Sequence, residues 1–395
     1  MNRFVLYLLV VWSTLAIIAW GAIPASPGLA PLVVVALALY VTVPLFVFMR
    51  RGFGWRAYPT AAFRLYVVRP ILYTQLLLPI VTISAVLGLL VGAMAGAARA
   101  GGQIAAAIAL VVSGVLLLAG WRGSRSLVVR DVEAFVPSLP AAFDGFRIVQ
   151  VSDLHLGPQT SRRFLADVTN SIRGLSADLI TVTGDLIDDR VEDTGLFVAW
   201  LDSLGAPPHG VYLIPGNHDV YAGWASVRVA LERDSSAHVL VNESQLLTRG
   251  GAALALVGLG DPAARRASPR GEQGNSAAPD VPRAFSAVPA GVSVVAFAHN
   301  PALWPSVAER GAALTLSGHT HWGQFALPRL GWSLASPFLE HAMGAYQDGE
   351  ALLYVHPGTG FWGIPFRLGA LPEVTVVTLR QGASASLLVG ATRAA

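Results

Sequence analysis

FRIVQVSDLHLG (residues 146–157) is the stretch that decides the fold. Its β-branched, apolar run reads as a strand, and the run stops at Asp153, with His155 two residues on. The next segments repeat the pattern. SRRFLADVTNSIRGL (161–175) sets Phe164, Leu165, Val168, Ile172 and Leu175 on one helical face, and ADLITVTGD (177–185) is a second strand ending in Asp. A helix near 194–204 leads to GVYLIPGN (210–217), a third. This alternation is an α/β pattern.

Further along, HVLVNESQLLTR, ALALVGLGD, VSVVAFAHNP, AALTLSGHTH, EALLYVHPGTG and VTVVTL read as strands with little helix between them. The chain thus begins as βαβ and finishes mostly as β. Residues 262–286 are rich in Ala, Pro, Ser, Gly and Arg without periodicity, and are expected to form an exposed, poorly ordered insertion.

Polar residues cluster where these strands end, which is where an α/β sheet places its ligand site. The strand ends read Asp153-Leu-His155, Gly184-Asp185-Leu-Ile-Asp188, Gly216-Asn217-His218-Asp219, His299-Asn300 and Gly318-His319-Thr-His321. They hold five of the nine histidines. A single strand-end Asp or His is ordinarily a turn former, but five such segments in succession are a site. Imidazole and carboxylate without thiolate, in a chain with no cysteine, suit divalent Mn, Fe, Zn, Co or Ni. One bridging carboxylate with three ligands on either side would fill two neighbouring sites, with room for an activated water between them. The glycines before Asp185, Asn217 and His319 leave space for turns that bring the ligands inward.

Upstream the composition changes. The whole chain is 54% hydrophobic and only 13% charged, against about 25% charged in an ordinary soluble domain. Four uncharged apolar runs, at about 4–20, 32–49, 71–95 and 103–121, are long enough to cross a bilayer and apolar all round. They outline an all-α, four-helix transmembrane region over 1–122, followed by a linker and entry strand at 123–145, a catalytic domain at 146–385 and a tail at 386–395. The loop between the second and third runs carries Arg50, Arg51, Arg56, Arg64 and Arg69. Because basic loops stay inside, both termini and the catalytic domain are expected to be cytoplasmic in an inner or plasma membrane. With no ionisable residue in the spans, a transport role is disfavoured. The net charge of +3 includes Arg in the loops beside the spans, so no nucleic-acid patch is evident. The oligomeric state is left open.

The ordered set D-x-H, G-D-x-x-D, G-N-H-[DE], a lone His and G-H-x-H resembles the signature of calcineurin-like metallophosphoesterases, over about residues 145–380. With SDLHLG (152–157) and PFRLGALPEV (365–374), the chain is similar to the membrane-associated bacterial branch of YkuE-like and YaeI-like enzymes. The resemblance implies a four-layer αββα sandwich. It implies that Asp153, His155 and His321 bind one metal ion, that Asp185 bridges, and that Asn217, His299 and His319 complete a second site. It places His218 beside the leaving group, oriented by Asp188.

His356 would either reach this site or, as favoured here, end a strand. Asp261 is open to the same choice between a supporting carboxylate and ordinary turn chemistry. The expected activity is hydrolysis of a phosphodiester or pyrophosphate bond by a metal-bridging hydroxide. The anchor points to a phosphoester substrate that is a lipid or a lipid-linked nucleotide. A phosphomonoesterase and a non-catalytic membrane sensor or scaffold are the alternatives. Trp322, Trp362 and the 262–286 insertion are candidates to shape the substrate cleft.

Overall fold

The run read first, Arg147–Val151, is a strand whose residues alternate between two apolar layers, and the same alternation builds the rest of the fold. The computed structural model describes residues 65–66, 69–158, 160–267 and 277–395. The chain divides into two compact units, the first ending at Gly120 and the second spanning Trp121–Ala395.

In the first unit, α1 (Arg69–Met94) turns into α2 (Ala98–Gly123), whose last three residues belong to the second unit. The expected spans at 71–95 and 103–121 fall on these helices, and both are long and apolar enough to cross a membrane. The helices approach closely because their contact is made of small residues. A Cβ on Gly88 would overlap the Gly101 carbonyl, and one on Gly101 would overlap that of Gly88. Their outer faces stay apolar, with Ile83, Leu90, Val91 and Val111 exposed. The expected spans at 4–20 and 32–49 lie outside the described residues.

The second unit holds β1 (Val128–Val136), β2 (Arg147–Val151), β3 (Leu179–Thr183), β4 (Val211–Ile214), β5 (His238–Val239), β6 (Glu243–Arg249), β7 (Ala252–Gly258) and β8 (Ser293–Phe297). It continues with β9 (Leu314–Ser317), β10 (Ala326–Leu327), β11 (Trp332–Ser333), β12 (Gly344–Asp348), β13 (Ala351–Val355), β14 (Glu373–Gln381) and β15 (Ser386–Ala394). Seven strands form one mixed sheet in the order β15-β1-β14-β2-β3-β4-β5, and six form another in the order β12-β13-β9-β8-β7-β6. β2 to β5 run parallel, as do β7, β8, β9 and β13.

Between the sheets, Ile148, Tyr212, Ile214 and Val377 of the first pack with Leu256, Phe297, Leu316 and Tyr354 of the second. On the outer face of the first sheet, Val149, Val182 and Leu213 meet α3 (Arg162–Arg173), α4 (Thr194–Asp202) and α5 (Asn217–Asp234). The outer face of the second, through Val257, Val294 and Ala296, meets α7 (Val281–Phe285) and α8 (Trp304–Ala308). The layering is therefore helix, sheet, sheet, helix.

Three stretches differ from the sequence reading. The tail expected at 386–395 is β15, which extends the first sheet by pairing antiparallel with β1. Its residues are largely exposed, so no alternation of apolar and polar residues betrays it. HVLVNESQLLTR is two strands in different sheets. Asn242, at φ 57°, makes the turn between them, accepting from Gly260 N–H and Asp280 N–H and donating to the Ala278 carbonyl. The stretch expected to be poorly ordered at 262–286 contains α6 (Ala264–Ala267) and α7, the latter capped by Asp280, whose carboxylate accepts from Arg283 N–H. Residues 268–276 lie outside the described residues.

A buried polar clasp ties the sheets together beneath the loops. Glu373 on β14 accepts from Tyr354 Oη of β13 at 2.6 Å, from Thr375 Oγ1 at 2.7 Å and from Arg130 Nε of β1 at 2.7 Å. Removing the carboxylate leaves a cation and a phenol largely buried without their acceptor. Glu373→Ala should cost about 3–5 kcal/mol, read as a lower midpoint in thermal unfolding followed by tryptophan fluorescence. An unchanged midpoint would show that the clasp contributes nothing.

Candidate metal centre

The parallel strands of both sheets aim their carboxyl ends at one seam. The loops after β2, β3 and β4 bring Asp153 and His155, Asp185 and Asp188, and Asn217 and His218. The loops after β8 and β9 bring His299, His319 and His321. All nine residues singled out in the sequence thus meet at one place, and all but His319 and Asp188 are buried.

The donors form two groups that share a carboxylate. In the first, His155 Nε2 lies 2.9 Å from His321 Nε2, and His321 Nε2 lies 3.4 Å from Asp153 Oδ1. In the second, Asn217 Oδ1 lies 2.7 Å from His319 Nδ1 and 3.2 Å from His299 Nε2. Asp185 Oδ2 reaches both, 3.5 Å from His155 Nε2 and 3.3 Å from His299 Nε2. Donor atoms of Asp153, His155 and His321 all lie within 4.8 Å of one another, as do those of Asp153, Asp185 and His299.

This donor set fits divalent cations. His299 Nδ1 donates to the Thr183 carbonyl at 2.8 Å, which turns Nε2 toward Asp185. Arg367 Nη2 donates to His321 Nδ1 at 2.9 Å, so the proton of that ring sits on Nε2, facing His155. Protons thus lie where the ligand atoms converge, and a cation would compete with them.

The backbone is strained at these positions. Asp153, His155, Asp185, His319 and His321 have φ between 47° and 70°, a region that costs of order 1–3 kcal/mol each for residues other than glycine and persists mainly where function demands it. Two glycines are required for a different reason. A Cβ on Gly216 would overlap the Asp185 carboxylate, and one on Gly318 would overlap Ser152 Oγ and the Asp153 carboxylate. Here the loops of different strands pass too close for any side chain.

Electrostatics separate the imidazoles. Burial, with the neighbouring cationic groups, holds His155 and His321 well below the usual histidine range and His319 down at about 4. Burial opposes charge on His299 too, but Asp185 and Asp153 push it well above that range. Burial would also raise Asp185, yet His299 and His218 hold it well below the carboxylate range, whereas burial and the Asp185 charge leave Asp153 at about 6. His218 rises to about 9, against the effect of burial, because Asp185, Asp189 and Asp188 surround it.

His218 meets Asp188 at the main chain. Its Nδ1 donates to the main-chain carbonyl of Asp188 at 2.7 Å, while the Asp188 carboxylate is 3.7 Å away and equally far from His155 Nδ1. The nearer carboxylate is Asp189 at 3.4 Å, which the sequence reading missed. It adjoins the G-D-x-x-D segment, and adjacency was the signal for it. Asp219, quoted in its motif but given no role, is buried and accepts from Gly216, Leu186 and Ile187 N–H, tying the loops after β3 and β4 together.

Arg367 was missed as well. Fully buried, it donates to the carbonyls of Pro357, Gly360 and Ala370 as well as to His321, and so sets the ligand ring against the loop after β13. His356 ends β13: its N–H donates to the Ser317 carbonyl and its Nδ1 accepts from Gly358 N–H, while its Nε2 has no hydrogen-bond partner among the described residues. Asp261 makes a turn, Oδ1 accepting from Ala263 N–H, although it is also buried within the electrostatic reach of His299.

Residues 146–323 match the family model of the calcineurin-like phosphoesterases. The chain is 32% identical over 285 residues to the transmembrane protein with metallophosphoesterase domain of Danio rerio, the match covering 69% of this chain and 62% of that one. It is 32% identical over 247 residues to the uncharacterized metallophosphoesterase YkuE of Bacillus subtilis, covering 62% and 82%. It is 27% identical over 300 residues to the UDP-2,3-diacylglucosamine pyrophosphatase LpxG of Chlamydia muridarum, covering 61% and 86%. The chain therefore spans less than two thirds of the length of the Danio rerio relative.

Two outcomes are expected from the residues that the sequence did not reveal. With its raised pKa, His218 keeps its proton at neutral pH and loses it as pH rises through about 9. Followed by NMR in the cation-free protein, the limb of that titration should move to lower pH in Asp189→Asn. A limb that stays in place would remove Asp189 from the role. Arg367→Met should weaken divalent-cation binding by about 10–100-fold in calorimetric titration, with partial recovery in Arg367→Lys.

Proposed function

Because the chain belongs to the calcineurin-like phosphoesterase family, we propose that it is a membrane-anchored, dinuclear hydrolase that cleaves a phosphodiester or pyrophosphate bond. The observation that carries this reading is the Asp185 carboxylate, which stands between two groups of nitrogen and oxygen donors. In it, Asp153, His155 and His321 would hold one cation and Asn217, His299 and His319 the other, with Asp185 shared between the two groups. Two divalent cations there would lower the pKa of a water toward neutrality and offset charge on the phosphoryl oxygens.

The protein's own groups divide the remaining work. Arg367, Thr183 and Asp219 hold ligand side chains and loops at fixed angles, so little reorganisation accompanies reaction. His218, charged and at the edge of the cluster, gives its proton to the departing oxygen as the P–O bond breaks and water oxygen is added to phosphorus. The main-chain carbonyl of Asp188 fixes the ring, and the carboxylates of Asp188 and Asp189 keep it charged.

A lipid-linked substrate is supported by two facts. The helices at Leu72–Met94 and Ala98–Gly123 have the length and composition to cross a bilayer, and one relative carries the name of a pyrophosphatase acting on a diacylated sugar nucleotide. With the two further apolar runs at 4–20 and 32–49, the Arg-rich stretch at 50–69 supports a cytoplasmic catalytic unit.

The purified full chain with Mn should hydrolyse a chromogenic bis-aryl phosphate, and a chelator should abolish this reversibly. Asp185→Asn and His319→Ala should each reduce it to background. Equal rates in wild type and variants would sink the assignment. Turnover confined to soluble nucleotides, with none toward a lipid pyrophosphate in detergent micelles, would remove the lipid arm alone.

A further inference from the structure

Directly after the ligand His321, the chain enters the segment FALPRLGWSLASPFL (325–339), which folds as the β10–β11 hairpin and a following turn. Its apolar side chains are turned outward to an unusual degree. Leu330 is 75% exposed and Phe338 80%, with Leu327, Leu334 and Leu339 also open. Looseness does not account for this, because the same segment buries Ala326, Ser333 and Ala335, and its main chain is pinned. Ala326 N–H donates to the Leu368 carbonyl, and Leu334 N–H to that of Phe325.

The exposed surface continues to the metal centre. Gln324 and Trp362 exchange two hydrogen bonds, Nε2 to the Trp362 carbonyl at 3.0 Å and Trp362 N–H to Oε1 at 2.9 Å. The half-exposed Trp362 ring lies 6.4 Å from that of His218. One rim therefore runs from the proton donor to Leu330.

We propose that this rim, centred on residues 325–339 with Trp362, docks on an anionic lipid bilayer. This deepens the phosphohydrolase reading and rests on it only for the purpose of docking. Three features select the occupant. Residues 325–339 hold no Asp or Glu and a single charge, Arg329, with the exposed Glu340 at their far end, so the hairpin itself combines apolar bulk with a cation, the pairing that suits acyl chains beneath anionic headgroups. Trp332 and Trp362 are side chains that prefer the headgroup level. The same chain carries two helices able to cross a bilayer, which keeps a lipid surface within its reach. The consequence is a site whose edge meets the headgroup layer, so that a lipid phosphate reaches the cations without leaving the membrane.

The chain has no cysteine, so single cysteines can be introduced into the full-length protein without background. Nitroxide labels at Leu330→Cys and Phe338→Cys, and a control at the exposed Arg233→Cys near the end of α5, are compared after reconstitution into phosphatidylethanolamine–phosphatidylglycerol vesicles. Relaxation by oxygen relative to a water-soluble nickel complex should be several-fold higher at 330 and 338 than at the control. Labels at both positions as open to the nickel complex as the control would overturn the proposal. So would label-to-label dipolar broadening that persists on dilution with lipid, since that would seat a second copy of the chain on the rim. The measurement needs no turnover, so its failure and a failure of the hydrolase assay are separate results.

Discussion

Two carboxylates, Asp153 and Asp185, are sealed from solvent with oxygens within 4.8 Å of each other. At that distance, with an effective dielectric constant near 20, their repulsion is more than about 3 kcal/mol when both are ionised. The fold answers by surrounding them with imidazoles and one guanidinium, brought from both sheets. His299 is driven to its charged form, while Asp153 is left easier to protonate. Such a cluster is poorly satisfied by protons alone, and its donors could hold a divalent cation.

The cost of that convergence is distributed over the scaffold. Asp153, His155, Asp185, His319 and His321 sit in left-handed backbone conformations, and loops from neighbouring strands cross at glycine contacts with no room for a side chain. These arrangements persist because the elements beneath them are rigid. The apolar layer between the sheets is dense, and the Glu373 clasp holds β13, β14 and β1 together under the loop that Arg367 secures. Stability made in the core is thus converted into fixed ligand positions at the seam.

His218 shows how the same constraint supports a second task. It lies beside His155 yet takes the opposite charge, because Asp185 and Asp189 outweigh burial at His218, while burial and cationic neighbours prevail at His155 and His321. Neighbouring imidazoles a few ångströms apart thereby differ in charge, with His155, His319 and His321 held neutral and His299 and His218 charged. The apolar rim through Trp362 extends the division outward, from charged centre to an uncharged, exposed edge.

Much of this was written in local sequence. Short β-branched runs stopping at Asp, Asn or His announced strands with polar ends, and Asp153, His155, Asp185, Asn217, His299, His319 and His321 do meet at one seam. Parallel strands force that outcome, because they share a direction and their ends share an edge. The long apolar runs likewise announced α1 and α2, since length and hydropathy alone decide whether a helix suits a bilayer. What only the tertiary structure decided involved partners remote in sequence or hidden by weak pattern. Arg367 meets His321 from 46 residues away, Asp189 displaces Asp188 as the nearer carboxylate to His218, and exposed β15 joins β1 across the whole domain. Periodicity reports which face of an element is buried, but the distance between two side chains is set by how the sheets pack, and no local pattern encodes it.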